Sequence, residues 1–174
     1  MEKDTKMETS AKPWWAMEFP QKPWWHGRIM NILVTTAVVI CLGVDAYNGE
    51  KDPVVNIFDN SIQVTGKGYE AIAYFPEITG ISLIEKNMKD IGVGIRVGGY
   101  RGFGGTLRGN FESPQGGFIL LFVQSRSSPT IWIEREFKKD IYISFRDGKK
   151  TEMSYNEMKA AIKKTMATTD GRSL

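Results

Sequence analysis

The sequence contains one run of apolar, uncharged residues, 29–44, near the start of a chain of 174 residues. It contains no charge and no proline. Trp25 and Tyr47, which flank it, lie 22 residues apart, or about 33 Å along a helix, close to the ~30 Å hydrocarbon core of a bilayer. The run therefore predicts a single transmembrane helix over residues 27–46.

Two other structures would give a similar apolar run. A cleaved signal peptide normally begins closer to the N-terminus, and residues 38–40 lack the small side chain expected ahead of a lipoprotein cysteine at Cys41. A core element of a folded domain would leave the neighbouring tryptophans without a role. The membrane helix accounts for more of the sequence than either alternative.

Residues 1–26 are predicted to form a mobile tail, because the first twelve are mostly polar and show no periodicity. The tail contains the motif Lys-Pro-Trp-Trp twice, offset by ten residues. Tryptophan rings settle at the lipid–water boundary, and lysines beside them reach anionic headgroups. The alternative is a Pro-rich linker whose tryptophans cover the folded domain. The predicted membrane-interface residues are Trp14, Trp15, Trp24, Trp25 and Tyr47.

The distribution of basic residues around the apolar run predicts its orientation. Five lysines and arginines precede the run, whereas only Lys51 follows it closely. The positive-inside rule then favours a cytoplasmic N-terminus and an external C-terminal domain.

A polar linker is predicted at residues 47–53, and beyond it the sequence alternates between apolar and polar residues with period two. This alternation is typical of β-strands, and Gly, Asp and Asn between the runs mark the turns. The continuously apolar run at 118–123 is expected of a strand that is buried on both faces or lies at a barrel closure. Seven strands are predicted, at residues 54–58, 61–65, 69–74, 78–84, 118–123, 130–134 and 141–145.

An amphipathic helix of about three turns is predicted to end the domain. Ser154 and Glu157 have the spacing of a capping box at its start. Tyr155, Met158 and Ile162 then fall on one apolar face. The residues after 166, 167–174, are expected to fray.

A glycine-rich segment at residues 96–111 is the most distinctive part of the predicted domain. Glycines allow backbone N–H groups to converge on an anion, and three arginines are the only charged residues between Asp90 and Glu112. One interpretation is a site for a headgroup, a carboxylate or a phosphate; the other is a tight structural loop whose aromatic residues pin it to the core. The candidate ligand-binding residues are Arg96, Arg101, Arg108, Tyr100 and Phe103.

The predicted layout of seven strands, a long loop after the fourth strand and a C-terminal helix is similar to the pleckstrin-homology (PH) fold. The stretch Arg-x-Gly-Gly-Tyr-x-Gly-Phe-Gly from Arg96, with residues 128–134, resembles bacterial PH-like domains that are often attached to membrane helices. The resemblance covers residues 54–166. It implies a mainly β fold, a seven-stranded bent sheet or barrel capped by one helix, that acts as a binding or assembly module. The first turn, Asp59-Asn60, has no lysine, so phosphoinositide binding by a basic loop is not implied.

Composition argues against several classes of function. A net charge of +3 is too small for the basic face that nucleic-acid binding requires. Cys41 and His26 are each the sole residue of their type, which leaves no conventional metal site and no cysteine–histidine cluster for a cofactor. The serines have no histidine to activate them.

We therefore expect a non-enzymatic module tethered to the membrane, with the lipid bilayer and another protein at the membrane as partners. Two alternatives remain from the sequence. The first is an anion- or ligand-sensing accessory domain that uses residues 96–111. The second is a hydrolase with an acidic site.

Overall fold

The computed structural model describes residues 24–170, with side-chain surroundings for residues 27–167. The chain divides into two compact units, Met1–Cys41 and Leu42–Leu174. The predicted interface residues Trp14 and Trp15 lie outside the described residues, as do the side chains of Trp24 and Trp25.

The first helix, α1, spans Trp24–Gly49 and has 26 residues. It begins three residues before the predicted helix at 27–46 and ends three residues after it. Its portion Gly27–Gly49 has a mean hydropathy of 2.1, and the most apolar part of that portion is entirely unburied. Within the described part of the chain, α1 is the one helix long and apolar enough to cross a membrane, a property that a signal sequence would share.

Nine β-strands and two further helices follow α1. A 3-10 turn at Phe75–Glu77 joins the third and fourth strands. The strands are β1 (Val54–Ile57), β2 (Ser61–Gly66), β3 (Tyr69–Tyr74), β4 (Ile78–Ile84), β5 (Arg96–Arg101), β6 (Thr106–Glu112), β7 (Phe118–Gln124), β8 (Thr130–Arg135) and β9 (Ile141–Ile143), and the helices are α2 (Met88–Ile91) and α3 (Gly148–Asp170).

The strands form two sheets. One sheet has three antiparallel strands in the order β1-β2-β3, and the other has six strands in the order β4-β8-β9-β7-β6-β5. Strand pairs are antiparallel except β7 and β9, which run in parallel with Leu120 opposite Ile141 and Phe122 opposite Ile143. The fold is thus mainly β with a C-terminal helix, as the sequence predicts.

Two hydrophobic clusters lie on opposite faces of the six-stranded sheet. The first joins this sheet to the three-stranded sheet and to α3, through residues such as Ile62, Phe122 and Met158. The second includes Leu107, Phe111 and α2.

Strand β7 contributes side chains to both clusters. Phe122 enters the first cluster, whereas Ile119, Leu121 and Val123 enter the second. Successive side chains on a strand point to opposite faces, so a strand covered on both sides needs an unbroken apolar run. The prediction of a doubly buried strand at 118–123 is confirmed.

The prediction of seven strands is wrong in number, because the glycine-rich segment 96–111 is not a loop. It forms the antiparallel hairpin β5–β6, with a register shift between Arg96 and Gly98. Gly109 has φ of +99°, and a Cβ there would lie 2.8 Å from a ring carbon of Tyr69. Close packing therefore requires glycine at position 109 within the strand. The many glycines of the segment 96–111 also hide the period-two pattern of its two strands.

Helix α3 begins six residues before the predicted capping box. Asp147 Oδ1 accepts a hydrogen bond from the backbone N–H of Lys149 at 3.0 Å, which is the geometry of an N-cap. Ser154 lies inside the helix, so the predicted start is wrong. The apolar face is as predicted, since Met158 and Ile162 are buried in the first cluster and Tyr155 packs against it.

We predict that Asp147→Ala lowers the free energy of unfolding by about 1 kcal/mol, because it removes the N-cap acceptor. Ser154→Ala should change it by less than about 0.5 kcal/mol, because the serine caps nothing. Guanidinium denaturation of the full chain in a neutral detergent, followed by circular dichroism, measures both. A larger loss at Ser154 than at Asp147 would place the helix start at the capping box instead.

Candidate functional site

The residues that follow the apolar run, 45–52, are fastened to the six-stranded sheet, and we call them the junction segment. The backbone carbonyl of Glu50 accepts hydrogen bonds from Gln124 Nε2 at 3.2 Å and from Arg146 Nη2 at 2.9 Å. The carbonyl of Lys51 accepts one from Arg108 Nη2 at 3.0 Å. Side chains of the domain therefore bind the predicted linker, 47–53, at Glu50 and Lys51.

The Glu50 carboxylate lies against the turn of the β5–β6 hairpin, residues 102–105, which we call the hairpin turn. Thr106 Oγ1 lies 2.7 Å from Glu50 Oε2 and 2.9 Å from Gln124 Oε1. A Cβ at Gly102 would overlap Glu50 Oε1, and one at Gly104 would lie 2.5 Å from Oε2. The glycines of the turn thus leave the space that the carboxylate fills.

Arg108 holds the junction segment from inside the sheet. It is completely buried, and its Nη1 donates to the carbonyls of Leu107 at 2.9 Å and Val123 at 2.7 Å. Burial lowers its pKa to about 10, against the opposing attraction of the Asp52 and Glu50 carboxylates. The guanidinium is therefore still charged at neutral pH.

Contacts at the surface complete this attachment. Lys67 forms an ion pair with Asp45 and lies over the ring of Tyr100, 5.2 Å from its centroid. The Tyr100 ring presses against Gly49, where a Cβ would overlap it, and burial beside the Glu50 charge raises the pKa of Tyr100. Asp52 Oδ1 accepts from the backbone N–H of Arg146 at 3.0 Å.

The structure separates the five predicted ligand-binding residues. Arg108 is enclosed, its Nη1 and Nη2 donate to backbone carbonyls and its Nε is buried without a hydrogen-bond partner, so a ligand cannot reach it in this conformation. Tyr100 packs on the junction segment. Arg96, Arg101 and Phe103 remain exposed. A carboxylate does occupy the glycine-rich segment, but it belongs to the chain itself, at Glu50.

The residues that sequence reasoning missed are Glu50, Thr106, Gln124 and Arg146. They come from four separate stretches, and no local pattern brings them together. The one available signal was the pairing of an acidic residue just after the apolar run with a glycine-rich, arginine-containing segment elsewhere. Tyr47, a predicted interface residue, is 70% exposed.

A basic recess of about 340 Å³ lies on the outer side of the hairpin turn. Its charged residues are Lys89, Arg101 and Arg126, and the lining contains no acidic side chain. The backbone carbonyl of Ser125 accepts from Lys89 N–H at 2.9 Å, and Ser125 N–H donates to Gly105 O at 2.8 Å. These bonds join α2, the end of β7 and the hairpin turn around the recess.

An aromatic cleft of about 710 Å³ lies toward the opposite end of β7 and includes Phe118. Its lining includes Trp132 and Tyr142, whose rings stack with centroids 5.9 Å apart. The Trp132 indole N–H donates to Asp140 Oδ2 at 3.0 Å, and burial raises the pKa of Tyr142 to about 12. The two recesses therefore differ in chemistry as well as in position.

The described residues contain no group of three or more His, Cys, Asp or Glu side chains able to hold a metal ion. Glu50 and the other carboxylates of the junction segment are engaged with the domain's own basic and polar groups. The arrangement fixes one segment to another and leaves a charged recess and an aromatic cleft open to solvent.

We predict that Gly102→Ala lowers the free energy of unfolding by about 1–3 kcal/mol, because the added methyl group overlaps Glu50 and Tyr100. In a Glu50→Ala background the same change should cost about 1 kcal/mol less, since one of the obstructing groups is gone. Denaturation of the four chains in detergent gives this coupling energy. Gly98→Ala is the control, because a Cβ there meets nothing within 4 Å; equal costs of Gly102→Ala in the two backgrounds would contradict docking of Glu50 in the turn.

We predict that Arg108→Ala lowers the free energy of unfolding by about 3 kcal/mol or more, because it leaves buried carbonyls and carboxylates without their cation. Arg96→Ala, the same substitution at an exposed position on the neighbouring strand, should change it by less than about 0.5 kcal/mol. The same denaturation experiment measures both. Equal effects would show that the buried guanidinium does not support the fold.

Comparison of the chain with protein-family models, with curated proteins and with solved structures found no match. The PH-like family therefore remains a prediction from the sequence, and the functional argument rests on the geometry of the junction segment and the two recesses.

Proposed function

We propose that this protein is a membrane-tethered, PH-like binding module whose domain is held at the bilayer surface by a fixed junction. The observation that carries the proposal is the docking of Glu50. Its carboxylate and its carbonyl are both bound by the domain, only five residues after Asp45, the first charge beyond the apolar run.

A fixed junction has a consequence that a flexible linker lacks. A flexible linker of Gly and Ser would let the domain sample a volume that grows with linker length. The effective concentration of the domain near partners at the membrane surface would then fall. Here the domain is bound at the first residues after the apolar run. It is therefore suited to ligands and proteins at the same membrane surface rather than to partners in solution.

The strand register supports a position of the hairpin turn at the same end of the sheet as the junction segment. Thr106 pairs with Gln124 at one end of β7, and Glu112 pairs with Phe118 at the other. Both Thr106 and Gln124 contact Glu50, so the end of the sheet with the hairpin turn is the end at the junction. The aromatic cleft, near Phe118, is about 20 Å farther along the strands.

A non-catalytic role agrees with the way the polar residues are used. Arg108, Thr106 and Gln124 bond to the chain itself, and no nucleophile with an activating base is among the groups described above. We propose the orientation that the basic residues favour, with the N-terminus in the cytoplasm and the domain outside. The proposed partners are the bilayer and a protein at its surface.

Sensing of an anion is the second candidate function, and the basic recess is the observation that favours it. Of the predicted binding residues, Arg108 is buried and is not available to an anion. Arg101 lines the recess together with Lys89 and Arg126. The anion would therefore bind beside the hairpin turn and not within the hairpin.

A fluorescent label at position 103 tests the position of the domain. The full chain with Cys41→Ala and Phe103→Cys, labelled with bimane and reconstituted in vesicles, should be quenched strongly by lipids with a nitroxide on the headgroup. The reason is that the label sits on the hairpin turn, whose glycines contact Glu50.

Phe137 provides a matched control. It is 98% exposed, compared with 95% for Phe103, and it lies between β8 and β9 near the far end of β7. The label at 137 should be quenched several times less than the label at 103. Equal quenching at the two positions, or stronger quenching at 137, would contradict a domain held with its hairpin turn at the bilayer.

A further inference from the structure

We propose that the basic recess beside the hairpin turn binds the phosphate group of an anionic membrane lipid, with the Phe103 ring inserted among the neighbouring lipids. This inference rests on the proposed function, because it requires the hairpin turn to lie at the bilayer. It names the ligand class and the residues that would recognise it.

The charge of the recess is uncompensated. Lys89, Arg101 and Arg126 come from α2, the end of β5 and the residues just after β7, and all three are exposed. Within the described part of the chain none of them takes part in a salt bridge; the ion pairs present use Lys67, Lys138 and Lys150. Three like charges that converge without an acidic partner are unfavourable in isolation and become favourable when an anion joins them.

The carboxylate on the other side of the hairpin turn does not line the recess. Glu50 lies on the inner side of the hairpin turn, where Thr106 binds Oε2 and where Oε1 is buried. Burial lowers the pKa of Arg108, and the Asp52 and Glu50 carboxylates oppose this shift by attracting the guanidinium. The turn thus separates an internal ion cluster from an external basic surface.

The chemistry and size of the recess suit a phosphate group. Guanidinium groups bind phosphate oxygens with two parallel hydrogen bonds, and an ammonium group adds a third charged donor. A volume of about 340 Å³ accommodates a headgroup phosphate with its glycerol. Each basic side chain near an anionic bilayer adds to the attraction.

Phe103 favours a lipid over a soluble phosphate compound. Its ring lines the recess and is 95% exposed at the tip of the hairpin turn. In water this exposure is unfavourable, because the apolar surface of the ring is not buried. At a bilayer interface, an aromatic ring beside basic residues is the arrangement by which peripheral segments attach to anionic lipids.

Lipid binding by the full chain in a neutral detergent tests the proposal. Native mass spectrometry counts the phosphatidylglycerol and phosphatidylcholine molecules retained during titration. We expect preference for phosphatidylglycerol, and the triple variant Lys89→Gln, Arg101→Gln, Arg126→Gln should weaken its binding by about tenfold or more. Arg126→Gln alone, at an exposed position that leaves the fold intact, should weaken it by a smaller factor.

The matched control removes the same charge from the exposed surface of α3. The variant Lys149→Gln, Lys159→Gln, Lys163→Gln should retain phosphatidylglycerol like the parent chain, because these residues lie outside the recess. Equal loss in the two triple variants would show that only net charge matters and would overturn the proposal. Absence of any preference for phosphatidylglycerol would also overturn it.

Inorganic phosphate distinguishes the two sources of the ligand chemistry. Millimolar phosphate should leave the bound phosphatidylglycerol in place. Phe103→Ser should weaken the binding of phosphatidylglycerol without affecting the binding of phosphate. Displacement of the lipid by phosphate would assign the recess to a soluble anion and overturn the lipid proposal.

The lipid titration measures binding in detergent, whereas the label at position 103 measures the position of the domain in a vesicle. If the chain shows no preference for phosphatidylglycerol but the label at position 103 is still quenched by the headgroup nitroxide, the proposed lipid site is wrong and the proposed position of the domain stands.

Discussion

The buried guanidinium of Arg108 is the interaction on which the attachment of the domain depends. An ionised side chain removed from water costs several kcal/mol unless hydrogen bonds and opposite charges surround it. Arg108 meets this requirement with carbonyls from two strands, at Leu107 and Val123, and with a third carbonyl from the junction segment, at Lys51. The same group that satisfies the interior of the sheet therefore binds the chain that leads to the apolar helix. Release of the junction segment would leave this charge without one of its acceptors, so the attachment and the fold stabilise one another.

This coupling gives the two ends of the six-stranded sheet different roles. The end that contains Gln124 and Thr106 holds Glu50, and the glycines of the hairpin turn bring the backbone close enough to enclose its carboxylate. The outer surface of that turn carries the basic recess and Phe103. The opposite end carries the aromatic cleft, with Trp132 stacked on Tyr142. A bilayer in contact with the first end would leave the second accessible to a protein partner, and in this way one small domain could connect a lipid surface to another molecule.

The sequence predicts the elements of this fold better than it predicts the contacts between them. The apolar helix, the seven predicted strands and the apolar face of α3 follow from the pattern of apolar residues, because that pattern reflects the faces that an element buries. The hairpin β5–β6 does not follow from it, because Gly99 and Gly109 stand where close packing admits no side chain. The sequence pattern misplaces the start of α3, because Ser154 and Glu157 match a capping box by spacing alone. Asp147 competes for the same role and makes the hydrogen bond.

The contacts of the site are even less predictable from the sequence than those of the fold. The sequence pattern does not distinguish an exposed arginine of the glycine-rich segment, such as Arg101, from a completely buried one, such as Arg108. The difference comes from position in the sheet, since Arg108 lies on β6, an interior strand, opposite Phe122, whereas Arg101 ends the edge strand β5. The docking of Glu50 joins residues more than fifty positions apart, and no local pattern records it.

The rigidity of the junction segment is the property most directly open to measurement. Spin labels at Val44 and Met153, both exposed, in the full chain with Cys41→Ala report the distance between the end of the apolar run and helix α3 by pulsed electron paramagnetic resonance. A junction held by Glu50 and Arg108 predicts a single narrow distance distribution that broadens in the Glu50→Ala variant. A broad distribution in the parent chain, unchanged by that substitution, would show that residues 45–52 are a flexible linker and would contradict a domain fixed at the bilayer surface.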